Sequence, residues 1–72
     1  MTAKEKFEKL GFDLDIYEYN GEEFLEYSFN DVEVIEFNKT KRIYKIFVPK
    51  INVSIEIHQA ITQQMKELGW IE

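Results

Sequence analysis

The dipeptide Asn20-Gly21 constrains this chain more than any other feature. It stands between two alternating runs, FDLDIYEY over 12–19 and EEFLEYSF over 22–29. A two-residue type I′ hairpin turn needs positive φ at both central positions, and Asn-Gly meets that need with little strain. If the turn closes a hairpin, Tyr19 pairs with Glu22 and every other pair follows. Ile16 then faces Leu25, Leu14 faces Tyr27 and Phe12 faces Phe29, three apolar pairs on one side. Tyr17 meets Phe24 and Asp15 meets Glu26 on the other. A slip of one residue would turn every side chain over. Turn chemistry and side-chain pattern therefore specify the same register.

The stretch Ser54 to Trp70, SIEIHQAITQQMKELGW, reads as an amphipathic helix. Ile57, Ala60, Ile61, Met65 and Leu68 recur at spacings of three and four and line one side of it. Ser54 is suited to the N-cap, and Glu56 to the positive end of the helix dipole. Gly69 can adopt the left-handed conformation that ends a helix, with Trp70 folding back onto Met65. Thr2 to Leu10 reads as a second, short helix. Thr2 and Glu5 have capping-box spacing, Ala3, Phe7 and Leu10 share a face, and Gly11 ends it. A helix this short is marginal in water, so it must dock. Leu10-Gly11-Phe12 and Leu68-Gly69-Trp70 repeat one C-capping solution.

Asn30-Asp31 signals a second turn, and Val32 to Phe37 a third strand. A two-residue loop puts Glu36 inside and Ile35 and Phe37 outside; a three-residue loop or a bulge reverses this. The reversal is expected, because it adds Ile35 and Phe37 to the apolar face. Asn38 to Lys41 is a polar turn. Arg42 to Val48 is a fourth strand, with Tyr44, Ile46 and Val48 opposite Ile43, Lys45 and Phe47. Pro49 stops it, since proline cannot donate to a ladder, and Lys50 to Val53 leads into the long helix.

The fold class is therefore α+β in a single domain over 1–72. It has a short N-terminal helix, a four-stranded antiparallel β-meander and a C-terminal amphipathic helix, with both helices on one sheet face. Phe12, Leu14 and Ile16 should look onto the oily flank of the last helix. With 44% hydrophobic and 15% aromatic residues and no cysteine, the core must hold by packing alone.

The formal net charge of −5 argues against direct nucleic-acid binding, which needs clustered Lys and Arg. No apolar run is long enough to cross a bilayer, and the N-terminal lysines lack an apolar signal core, so a cytoplasmic location is expected. His58 is the single histidine, and there is no cysteine to join it as a ligand or nucleophile. Asp13 and Asp15 share a side of the first strand with Glu26 across from Asp15. Three carboxylates can hold a hard cation, but a flat, wet face lacks a loop to wrap one. No catalytic, cofactor-binding or metal residue is therefore assigned, and the chain is not expected to be an enzyme.

Charge is segregated: nine acids and no Lys or Arg from Asp13 through Glu36, then five bases and no acid from Lys39 through Lys50. The acidic half can be a solvated surface or one built for a basic partner. Tyr17, Tyr19 and Phe24 fall on the side opposite the apolar pairs, where Ile43 and Phe47 join them. Two helices cover only one side of a sheet. These aromatics are thus the candidate protein-binding residues, for an unknown partner protein or in a homodimer. The alternative is an acidic decoy that inhibits a nucleic-acid-binding protein.

The opening run Phe7-Glu8-Lys9-Leu10-Gly11-Phe12 and the closing run Ile61 to Glu72, ITQQMKELGWIE, resemble the ends of many small proteins of phages and prophages of Gram-positive bacteria. The resemblance implies a bacterial cytoplasmic setting and an accessory role. It brings no catalytic or binding residues.

Overall fold

The computed structural model describes residues 1–30, 32–47 and 53–72. The elements are α1 (Ala3–Lys9), β1 (Asp13–Tyr19), β2 (Glu22–Phe29), β3 (Glu33–Asn38), β4 (Ile43–Phe47) and α2 (Ile55–Glu67). The strands form one antiparallel sheet in the order β1-β2-β3-β4, an open meander with β1 and β4 at its edges. This is the expected α+β arrangement. Val48 at the expected end of the fourth strand, the stop at Pro49 and most of the 50–53 connection lie outside the described residues, as does Asp31 in the second turn.

The first hairpin has the register read from its turn. Tyr19 pairs with Glu22, Tyr17 with Phe24, Ile16 with Leu25 and Leu14 with Tyr27. Asn20 and Gly21 both have positive φ, 53° and 78°. Phe29 pairs with Glu33, which leaves three residues between them. The three-residue loop places Ile35 opposite Tyr27 and Phe37 opposite Leu25, on the inner face. In β4, Ile46 pairs with Ile35 and Tyr44 with Phe37. That strand starts one residue later than expected, because Arg42 takes a positive φ of 58° and donates its N–H to the Asn38 carbonyl.

Both helices end in the same way. The Phe12 N–H reaches the Phe7 carbonyl and the Gly11 N–H the Glu8 carbonyl; Trp70 reaches Met65 and Gly69 reaches Lys66. These are Schellman bonds, with the glycine in positive φ and the aromatic after it turned back to the core. At the other end of α1, Thr2 and Glu5 form the reciprocal capping box. The two helices run antiparallel. Glu67 at the end of α2 accepts the Ala3 N–H at 2.8 Å, while Lys9 and Leu10 share a groove with Glu56 and Gln59 at the start of α2.

The core lies between the helix pair and the inner sheet face. Phe7, Phe12, Leu25, Tyr27, Ile35, Phe37, Ala60 and Ile61 are buried in it. Phe7 stacks on Tyr27 with centroids 3.9 Å apart and meets Phe12 and Phe37 edge-on. That packing is what holds the short α1 in place. Trp70 packs 6.2 Å from Phe37. Among the three residues expected to face the last helix, Phe12 is buried and Leu14 is half-buried against the core. Ile16 corrects the expectation: it lies on the inner face yet is 66% exposed. It ends the row Ile16–Leu25–Phe37–Tyr44, whose two central residues are buried while Tyr44 at the far edge is 42% exposed. An edge strand has a neighbour on one side only, and the helices close over the middle of the sheet.

Candidate functional site on the outer sheet face

The side of the sheet opposite the core presents its side chains in cross-strand rows. One row runs Tyr17–Phe24–Asn38–Ile43, the next Asp15–Glu26–Glu36–Lys45, and the third Asp13–Ser28–Val34–Phe47. Neighbours in such rows stand about 4.5–5.5 Å apart between Cα atoms. Three carboxylates thus lie side by side over β1, β2 and β3, with one ammonium at the end.

The first row is tied to the second. Tyr17 stacks on Phe24 with ring centroids 5.1 Å apart and planes at 16°. Its hydroxyl donates to Glu36 Oε2 at 3.3 Å. Burial, and then the Glu36 and Glu26 carboxylates, raise the Tyr17 pKa above its ordinary value. Burial, followed by the charges of Asp15 and Glu36, likewise pushes Glu26 up from the usual carboxylate value. Like charges directly opposite one another in a sheet are destabilising. The carboxylate row therefore works against folding.

The three aromatics singled out in the sequence have different exposures. Tyr19, beside the turn, is 65% exposed. Tyr17 is half-buried, and Phe24 is only 8% exposed. Phe24 sits on central strand β2, covered by the Tyr17 ring on one side and flanked by Asn38 on the other. It supports the face more than it presents a surface. Ile43 and Phe47 stand on the same face and are exposed, as expected of them.

The turn between β3 and β4 brings bases to the start of β2. Lys39 pairs with Glu23 at 3.2 Å and Lys41 with Glu22 at 3.1 Å. The Glu23 N–H donates to Thr40 Oγ1 and the Lys39 N–H to the Glu23 carbonyl. This fastening partly balances Glu22 and Glu23 and leaves the Asp15–Glu26–Glu36 row as the concentrated charge. Alternation already places Glu36 and Lys45 on this face; their alignment in one row with Asp15 and Glu26 follows only once the second loop has three residues.

Other candidates lie apart from the face. His58 is exposed on α2, in a shallow groove with Lys6, Gln59, Thr62 and Lys66. Among the described residues no group of three His, Asp or Glu is arranged to hold a metal ion. No helix among them is long and apolar enough to cross a membrane.

No family model matches the chain. Neither a curated protein nor a solved structure matches it. The runs 7–12 and 61–72 contain the two Schellman C-caps, so helix ending alone selects the Leu-Gly-aromatic pattern they share.

Proposed function

We propose that this chain is a small, non-enzymatic, cytoplasmic accessory protein, of the kind phages and prophages carry, that works by binding another protein through its outer sheet face. The observation that carries this reading is the carboxylate row with exposed apolar side chains around it on the same face. Asp15, Glu26 and Glu36 oppose one another at a cost to stability; the exposed Ile43 and Phe47 end the rows on either side of them, and the exposed Tyr19 stands further along β1. A partner with basic and apolar side chains would relieve the repulsion and cover the apolar groups together. A second copy docked face to face would set the acid row against itself, so a different protein suits the face better than a homodimer does.

The test is retention of partners from bacterial lysate on the immobilised chain, with Tyr19→Ser and Glu26→Lys as face variants and His58→Ser as a helix-side control. A partner kept by wild type and control but lost by both face variants is the expected result. If the face variants keep every partner that wild type keeps, the face is not the binding surface.

The carboxylate row also supports the decoy reading, in which the partner is a nucleic-acid-binding protein and the carboxylates occupy its phosphate sites. Competition separates the two, since salt screens the carboxylates in either case. Binding that nucleic acid displaces belongs to the decoy; binding that nucleic acid leaves in place belongs to the first reading.

A further inference from the structure

The two edges of the sheet differ in charge, and they match. The β1 edge carries Asp13, Asp15 and Glu18. The β4 edge, Ile43–Phe47, carries Lys45 as its only charge and follows directly on Lys41 and Arg42. Exposed apolar groups also end the rows: Ile16 on β1, and Ile43 and Tyr44 on β4. Unpaired edges template further pairing unless something blocks them. We propose that β4 of one copy pairs antiparallel with β1 of a second copy, head to tail, so that the sheet continues from molecule to molecule.

Each row of this sheet, continued into the next copy, specifies the register. Extending Asp15–Glu26–Glu36–Lys45 brings Lys45 opposite Asp15 of the second copy. The inner row brings Tyr44 opposite Ile16 of the second copy, and its neighbour brings Ile46 opposite Leu14. Ile43 meets Tyr17; only Phe47 opposite Asp13 lacks a complementary partner. Inner residues stay inner and outer residues stay outer, so the helix layers of both copies lie on one side.

The backbone agrees by parity. In an antiparallel ladder a residue that bonds to one neighbour turns its N–H and C=O away from the other, so bonded and non-bonded pairs alternate along a row. Across four strands the two end residues of every row share one state. Where Lys45 has free groups pointing outward, Asp15 of the second copy has them too. This contact is heterologous: it closes into a ring or runs on as an open chain, and it is not a symmetric dimer. It uses the strand edges and leaves the outer face of each copy free for the partner proposed above.

The test is sedimentation equilibrium of the purified chain at low salt, from micromolar to millimolar concentration, without any partner. The average mass should rise with concentration and not stop at two copies unless a ring closes. Lys45→Glu alone and Asp15→Lys alone should each weaken association about 5-fold, because an attractive cross-strand pair becomes a repulsive one. The double reversal should restore it, and so should an equimolar mixture of the two single variants, each of which circular dichroism should show to be folded. A wild type that stays monomeric throughout overturns the proposal. So does association that neither single variant weakens, or that the double reversal and the mixture both fail to restore.

Discussion

The Tyr27 hydroxyl donates a 2.6 Å hydrogen bond to Gln64 Oε1 inside the core. It joins the middle of the sheet to the buried side of α2, and both residues are almost completely covered. Gln64 is one of two polar residues buried among those described. Removing one partner of a buried bond leaves the other unsatisfied, which costs about 1–3 kcal/mol. Tyr27→Phe and Gln64→Leu should each destabilise by about that much. The double variant should lose less than the sum, because it strands no polar group. Urea unfolding of the four proteins measures the coupling; strict additivity would mean that the bond contributes nothing.

Tyr27 also sets an alkaline limit. Burial, and secondarily the charges of Glu67 and Glu8, push its pKa up from 10.0 to about 12. The folded state therefore holds the proton more tightly than the unfolded chain does. Its stabilising contribution is complete below pH 10 and is lost as the pH rises from there toward 12. The loss is on the order of 2–3 kcal/mol. Phenolate absorbance should show one tyrosine ionising only with unfolding. In Tyr27→Phe that late step should be missing, and the alkaline fall in stability should be shallower.

The carboxylate row gives the opposite kind of prediction, a substitution that stabilises. The Glu26 pKa is raised, by burial first and then by Asp15 and Glu36. Its deprotonated form therefore weakens the fold at neutral pH, and the penalty disappears as the pH falls and the proton returns. Glu26→Gln should raise stability by about 0.2–1 kcal/mol at neutral pH, with the gain vanishing in acid. Thermal unfolding across that pH range checks it. The same variant should bind a basic partner less well, which separates the row's role in binding from its role in folding.

Much of this arrangement is written in local chemistry. Asn20-Gly21 dictates a hairpin whose pairs can be counted, and Gly11-Phe12 and Gly69-Trp70 dictate two identical helix ends. The third strand is less local: a three-residue loop or a bulge would each bring Ile35 and Phe37 inward, and the chain uses the loop. What local chemistry does not contain is how far one layer reaches over another. Alternation puts Ile16 on the inner face, but the helices stop short of it. Alternation puts Phe24 on the outer face, but Tyr17 covers it. Gln64 occupies a core position at helical spacing from Ile57, Ile61 and Leu68, yet its polarity hides this until the Tyr27 hydroxyl is found opposite. The outer face could be named from the pattern. Its row of acids across three strands required the register of all three.

The two glycine caps share a conformation and differ in surroundings, which makes them a matched pair for substitution. Gly11 has φ 93° and Gly69 φ 77°. An L-residue in the left-handed region costs roughly 1–2 kcal/mol, so alanine should weaken both caps. At Gly69 a new Cβ meets nothing within 4 Å, and the loss should stay near that figure. At Gly11 it would stand 2.7 Å from Cε2 of the Phe29 ring. That ring packs against Phe12 with centroids 5.7 Å apart, so it cannot swing away without disturbing the core under α1. Gly11→Ala should therefore destabilise more than Gly69→Ala. Adding Phe29→Leu, which shortens the obstructing side chain, should return part of the difference to the Gly11 variant and none to the Gly69 variant. Equal losses for the two single substitutions in urea unfolding would show that the ring yields freely and that only the backbone conformation matters at these helix ends.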